Sequence, residues 1–287
     1  MSAAEPDRTQ HYKEAMRENW TANAVSWRAR RQQHAITTRD ATEVVVAAAR
    51  VRPGLRVLDL ASGTGEPSLT LAERVGPDGH VTATDLVPEM LAAAEEGARE
   101  RGLTNITFQQ ADAEALPFAD QTFDVVTCRF GVMFFPNVGQ ALREVYRVLK
   151  PGGRVVLLAQ GPLDQNPFFA MAHAAAAKYA PAPPPEPDAP HGLRFADARK
   201  LGAALRDAGF REVEADYRAV RWIVPGPPEQ VWENHRRNNS QFRKLAATLT
   251  PEQAEQVHQD VLAASAPYFD GQQVDFPAVV VLATGVR

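Results

Sequence analysis

Apolar residues recur along this chain with two alternating periods. Short β-rich runs such as Val57-Leu58-Asp59-Leu60, His80-Val81-Thr82-Ala83-Thr84-Asp85 and Phe123-Asp124-Val125-Val126 are separated by stretches in which apolar positions return every three or four residues. The first pattern is that of buried strands and the second that of amphipathic helices. It predicts strands at about 56–61, 80–85, 106–111, 123–130 and 154–159, with helices at 66–75, 88–101 and 138–149 between them. Gly76-Pro77, Gly102 and Pro151-Gly152-Gly153 punctuate the helix ends, and Pro88 opens a helix. Strands alternating with helices of this length make an α/β chain with a mostly parallel sheet and helices on both faces.

The flanks are different. Residues 7–34 predict one helix, with Tyr12, Met16, Trp20 and Trp27 in a stripe, and 38–50 a second, through Val44, Val45 and Val46, capped by Thr37 or Thr38. After Gly161 the regular alternation stops. A short helix at about 167–179 leads into Ala180–Pro187, where five prolines in eight residues imply a stiff surface connection. A helix at 196–208, a strand at 212–224, helices over 229–265 broken at Thr250-Pro251 and a last strand at 274–285 complete the chain. The organisation expected is N-terminal lid helices over 1–52 and a main domain over 53–287, with lid insertions at about 161–194 and 226–270.

Composition narrows the function. The net charge is −4, with no long basic run, so no nucleic-acid partner is expected. Residues 1–10 are too polar for a signal peptide, and no stretch reaches the ~18 apolar residues of a membrane span, so the expectation is a cytoplasmic protein with no membrane partner. Cys128 is the only cysteine, which excludes an intrachain disulfide and a cysteine-rich metal site; no metal is expected. The sequence carries no signal for an oligomeric state.

The first predicted strand ends in Asp59, and Ala61-Ser62-Gly63-Thr64-Gly65 follow at once. Gly63 and Gly65 permit a sharp bend and close approach of a ligand, and the N-terminus of the next helix, entered at Gly65 with Pro67 in its first turn, offers unpaired N–H groups. The pattern is not a dinucleotide fingerprint, because Ser68 stands where the third glycine belongs, and no Lys-Ser/Thr pair marks a triphosphate loop. Asp85 closes the second strand and Asp112-Ala113 follow the third. In an open parallel sheet the ligand binds beyond the carboxyl ends of the strands, so these acids converge on one crevice. There Asp85 can accept from both hydroxyls of a ribose, and Asp112 from an exocyclic adenine amine. Singly, each acid also fits a strand-end turn; three at successive strand ends, beside a glycine loop, point to a nucleoside.

Together these motifs resemble the class I S-adenosylmethionine-dependent methyltransferases, on the branch similar to the ubiquinone/menaquinone and small-molecule enzymes. The likeness rests on Val57–Gly65, Asp85, Asp112-Ala113-Glu114-Ala115-Leu116-Pro117-Phe118, Phe123-Asp124-Val125-Val126 and Leu149-Lys150-Pro151-Gly152-Gly153. It departs at Ala61, where the family has glycine. The resemblance implies a Rossmann-like sheet of seven strands whose last strand is antiparallel and inserted between the fifth and sixth. It also implies S-adenosyl-L-methionine as cofactor and S-adenosyl-L-homocysteine as product. Asp59, Ala61, Gly63 and Gly65 would hold the cofactor's amino-acid end, Asp85 the ribose, and Leu86, Met90, Asp112 and Ala113 the adenine. Arg129, Phe130 and Met133 would lie near the sulfonium. Trp20 and Trp27, two helical turns apart on one face, are expected to cover the cofactor, ordinary core packing being the competing reading.

The function expected is methyl transfer by in-line displacement to a small apolar or aromatic molecule, with His173 and His235, on the two lid insertions, as candidate general bases. The rivals are a protein that keeps the cofactor without methylating and a nicotinamide-dependent dehydrogenase. Ser68 and the lack of a Tyr-x-x-x-Lys pair argue against the latter.

Overall fold

A computed structural model describes residues 4–179, 189–238, 242–243 and 246–287. The five predicted parallel strands are β1 (Arg56–Leu60), β2 (His80–Asp85), β3 (Ile106–Gln110), β4 (Phe123–Arg129) and β5 (Leu149–Gln160), followed by β6 (Arg211–Pro225) and β7 (Gln273–Val286). They form one sheet in the order β3-β2-β1-β4-β5-β7-β6. β1 to β5 pair in parallel, and β7 runs antiparallel between β5 and β6. The order reverses between β1 and β4, which opens a crevice at the carboxyl ends of those strands.

The central strands are apolar almost throughout because both faces are covered. Val57, Val125, Val156 and Leu158 join one buried cluster with Ala41, Val45 and Val46 of α3 (Arg39–Ala49) and Leu71, Ala72 and Val75 of α4 (Ser68–Val75). The alternate residues Leu58, Leu60, Val126, Cys128, Val155 and Leu157 join the other cluster. There they meet Leu142, Val145 and Val148 of α6 (Val138–Val148) and Leu201 and Leu205 of α8 (Ala198–Asp207). Between α4 and α6 in the chain lies α5 (Pro88–Glu100), which Pro88 opens at its first position. The remaining elements are α1 (Ala4–Ala29), α2 (Arg31–Thr37), α7 (Pro167–Ala177), α9 (Pro228–Asn238) and α10 (Pro251–Ser265). None of the described helices is long and apolar enough to cross a membrane.

Three expectations change. The single helix over 7–34 is two, because the chain tightens where Arg30 N–H bonds back to the Trp27 carbonyl three residues earlier (3.2 Å), with no glycine or proline to announce it. The helix after β1 starts at Ser68 rather than Gly65. Gly65 N–H first closes a turn on the Ser62 carbonyl (3.0 Å), and Pro67 is the residue before the helix, not within it. β5 begins at Leu149, since Leu149 already pairs with Phe123 across a register shift that takes up Pro151–Gly153. The proline-rich segment over 180–187 lies outside the described residues.

Candidate functional site

The loop after β1 is held from beneath by Asp59. Its side chain is wholly buried. One carboxylate oxygen accepts from the Thr127 hydroxyl of β4 (2.6 Å) and the other from the Ser68 hydroxyl at the start of α4 (2.5 Å). Burial pushes its pKa up to about 6, against the pull of the two hydroxyls and Arg129. Asp59 therefore acts on the loop by tying β1, β4 and α4 together. The two hydroxyl partners had a legible signal, each being a polar residue inside an apolar pattern.

Above it, Ala61 takes a left-handed conformation at φ +50. Its methyl sits where a methyl on Gly131 would come within 2.5 Å, and the Cys128 sulfur would be 2.8 Å from the same point. Gly65, at φ +118, needs to lack a side chain for a second reason: a Cβ there would lie 2.9 Å from Leu69 Cδ1. Gly63, at φ +54, is different, because a Cβ on it would meet nothing within 4 Å. The loop thus has open space on the Gly63 side. Ser62 is buried, and its hydroxyl has no hydrogen-bond partner among the described residues.

Asp85 closes β2 and faces this loop. One oxygen accepts the Gly63 N–H (2.9 Å) and the other the Val87 N–H (2.9 Å). Burial raises its pKa, and these backbone donors oppose the rise. Each oxygen keeps a second lone pair for a ligand hydroxyl. Leu86 is half-buried beside it, and Met90 is buried in a cluster with Val87 and Ala24, against which Trp20 and Trp27 pack. Trp20 also meets Phe134 edge-on at 5.6 Å, while Trp27 stacks on His34 at 4.0 Å.

Asp112, beyond β3, is already engaged. One oxygen accepts the Glu114 N–H (2.9 Å) and the other the Lys13 ammonium from α1 (2.6 Å), which also reaches Glu114 Oε2 at 2.9 Å. Ala113 is half-buried beside it. Lys13 escapes sequence reasoning because its partner is ninety-nine residues away.

The residues after β4 separate. The Arg129 guanidinium donates to the Glu66 carbonyl twice (3.1 and 2.9 Å) and to the Thr38 hydroxyl (2.6 Å). Desolvation lowers its pKa. It is a clamp between the α2–α3 junction and the residue that follows Gly65 of the loop. Thr38 is the residue before α3, as expected, but its hydroxyl makes no cap bond; it donates to the His34 carbonyl instead (2.8 Å). Met133 is buried in the core cluster of Cys128 and Val132. Phe130, at φ +60, is half-buried and packs at 5.7 Å against Trp222 of β6. Trp222 meets Phe169, Phe169 meets Phe168, and Phe168 meets His235 at 6.0, 4.9 and 4.6 Å. An aromatic wall therefore runs from the end of β4 into the helices over it.

His173 and His235, far apart in sequence, both end on this wall. His173 Nδ1 lies 2.9 Å from the Phe169 carbonyl oxygen. His235 is buried, its Nε2 has no hydrogen-bond partner among the described residues, and burial together with the nearby His173 drives its pKa down to about 3. It is neutral at ordinary pH and a weak proton acceptor, which counts against its expected use as a strong base.

Comparison with known proteins agrees with this architecture. The chain is 47% identical over 109 residues to the ubiquinone/menaquinone biosynthesis C-methyltransferase UbiE of Idiomarina loihiensis, a stretch that is 38% of this chain and 43% of that one. It is 38% identical over 173 residues to the protein of the same name from Rhizobium meliloti, covering 56% of this chain and 67% of the relative. The matched stretch thus spans less than half of the first relative's length and about two thirds of the second's. Among solved structures, the YcgJ protein of Bacillus subtilis shares the fold with a TM-score of 0.52 at 23% identity, over 86% of this chain and 97% of that one. Residues 31–180 match the model of the ubiE/COQ5 methyltransferase family, and with more than half of its length inside that match, this chain belongs to the family.

Proposed function

We propose that this protein binds S-adenosyl-L-methionine in the crevice beyond β1, β2 and β3 and transfers its methyl group to a small ring-bearing acceptor of the quinol type. The observation that carries the cofactor part is the convergence of Asp59, Asp85 and Asp112 at three successive strand ends, with Asp85 bonded to the Gly63 N–H. The residues present fit the cofactor: the Gly63 side of the loop is open, and the unpartnered Ser62 hydroxyl offers a polar contact beside it. Asp85 would hold the ribose hydroxyls, and Asp112, Ala113, Leu86 and Met90 the adenine. The Ala61–Gly65 backbone, set by Asp59, would take the amino-acid end.

The quinol class is drawn from the names of the relatives and fits the aromatic wall Phe130, Trp222, Phe169 and Phe168. When bound, the cofactor supplies an electrophilic methyl on a sulfonium. The protein's part is positioning: the wall would hold the acceptor ring in line, and exclusion of water by α1, α7, α9 and α10 would protect the transfer. A hydroquinone ring carbon becomes a better nucleophile as a ring hydroxyl loses its proton to His173. Once the methyl–sulfur bond breaks and the methyl–ring bond forms, the hydrogen on that ring carbon would leave as a proton to solvent, and the proton on His173 would return to the oxygen as aromaticity is restored. His235 stays neutral and accepts a hydrogen bond at Nε2.

The test is turnover. Purified protein is incubated with S-adenosylmethionine and a demethylated quinol, and S-adenosylhomocysteine and the methylated ring are measured together. Equal formation of both supports the proposal. Tight cofactor binding with no turnover on any ring acceptor would leave the non-methylating alternative standing. NADH binding without response to S-adenosylmethionine would overturn the cofactor assignment.

A further inference from the structure

Lys13 holds the carboxylate that the proposed function gives to the cofactor's base. Its ammonium donates to Asp112 at 2.6 Å and to Glu114 at 2.9 Å, and its side chain is only 21% exposed. Glu114 is itself fixed, being 8% exposed at its side chain and accepting the Asn137 N–H at the start of α6 (2.7 Å). An ammonium and an exocyclic amine are both N–H donors, and both seek the carboxylate of Asp112. The same helix lays Trp20 and Ala24 over Val87 and Met90, so α1 covers the adenine end as a unit.

The two halves of this cover are anchored differently. Beyond the tryptophans, Arg28 pairs with Glu96 and Arg31 with Glu100, which fastens the end of α1 and the start of α2 along α5. In the first half of α1, Lys13 carries an ion pair to the site. Releasing that ion pair would loosen the front of the helix while its far end stays docked.

We propose that Lys13 is an internal stand-in for the adenine amine: it satisfies Asp112 while the site is empty, and gives up that oxygen, keeping Glu114, when the cofactor enters. This rests on the reading of Asp112 as the adenine acid. No covalent step is involved; one donor replaces another on the same carboxylate. Because the incoming amine must displace a charged donor, the stand-in weakens net cofactor affinity, and raising the salt concentration relieves it by screening the pair.

The experiment is calorimetric titration of S-adenosylhomocysteine into wild type, Lys13→Met and Lys13→Arg, at low and high salt, with amide hydrogen exchange of α1 in the same samples before ligand is added. Lys13→Met should bind roughly 1.5- to 5-fold more tightly than wild type, the range of one partly exposed ion pair. Its affinity should not respond to salt, whereas wild type tightens as salt rises. Lys13→Arg, which keeps the donor and the charge, should follow wild type. Residues 9–18 should exchange faster in Lys13→Met than in wild type. Equal or weaker binding by Lys13→Met, with wild type binding normally, overturns the stand-in alone, as does unchanged exchange over 9–18. Failure of wild type to bind at all overturns the cofactor reading first.

Discussion

Asp59→Asn separates the cost of a buried charge from the geometry it maintains. In the folded chain this carboxyl is wholly buried and titrates at about 6 instead of its ordinary 3.8. That displacement corresponds to about 3 kcal/mol between the neutral and ionised forms. The sign follows from proton counting. Between about pH 4 and 6 the folded state keeps a proton that the unfolded state has lost, so stability from the neutral carboxyl is full below the unfolded value and is lost as pH rises through 6. Asparagine never ionises. It does place an amide donor where both hydroxyl partners now donate, so one of them must turn, at a cost of about 1 kcal/mol. The unfolding free energy of Asp59→Asn minus that of wild type should therefore rise from about −1 kcal/mol at pH 4 to about +2 kcal/mol at pH 8. Urea titrations of both proteins at each pH give this difference, and taking the difference cancels groups common to both. A difference that stays flat between pH 4 and 8, or that falls, refutes the assignment of the raised pKa to Asp59.

Asp85→Ala removes the acceptor of two backbone N–H groups and, on the proposed cofactor reading, of the ribose hydroxyls; S-adenosylhomocysteine should then bind about 30- to 150-fold more weakly by calorimetry, with the sheet still folded by circular dichroism. Gly65→Ala forces a methyl within 2.9 Å of Leu69 at a left-handed backbone position and should lower stability by about 1–3 kcal/mol, read as a reduced urea midpoint. Arg129→Met strips the Glu66 carbonyl and the Thr38 hydroxyl of their donor, with an expected loss of about 2–4 kcal/mol in the same assay. The His235 imidazole, held down near pH 3, should show no NMR titration between pH 5 and 8. Its contribution to stability is complete above the ordinary value of 6.5 and is lost as pH falls toward 3.

What the sequence made legible follows from local chemistry. The acids Asp59, Asp85 and Asp112 stand out because each sits at or just past the end of a strand-like run, Asp59 beside a glycine loop, and the structure puts them at the ends of the neighbouring strands β1, β2 and β3. The antiparallel insertion of β7 was legible only through family likeness, since nothing local fixes the partner of a strand joined by a long helical excursion. The role of each side chain was harder to read, because it depends on partners distant in sequence. Lys13 needs Asp112, Arg129 needs Thr38, and His235 needs Phe168. The break at Arg30 and the late start of α4 at Ser68 are set by backbone turns on Trp27 and Ser62, which leave no compositional mark.

The pairing of Ala61 with Gly131 constrains the order in which this chain can change. A methyl at 61 sits in the space that a methyl at 131 would need, so the two positions share one vacancy between them. Reverting Ala61 to glycine is open at any time and relieves a left-handed residue. Adding a side chain at 131 first is closed, and even after reversion at 61 it still meets the Cys128 sulfur at 2.8 Å. Alanine in this loop therefore adds a second obstacle to the one that the Cys128 sulfur already sets against a side chain at 131. Any residue larger than glycine at 131 needs both 61 and 128 to change first, so Ala61→Gly alone should leave Gly131→Ala strongly destabilising, and only the triple change with a smaller residue at 128 should be tolerated.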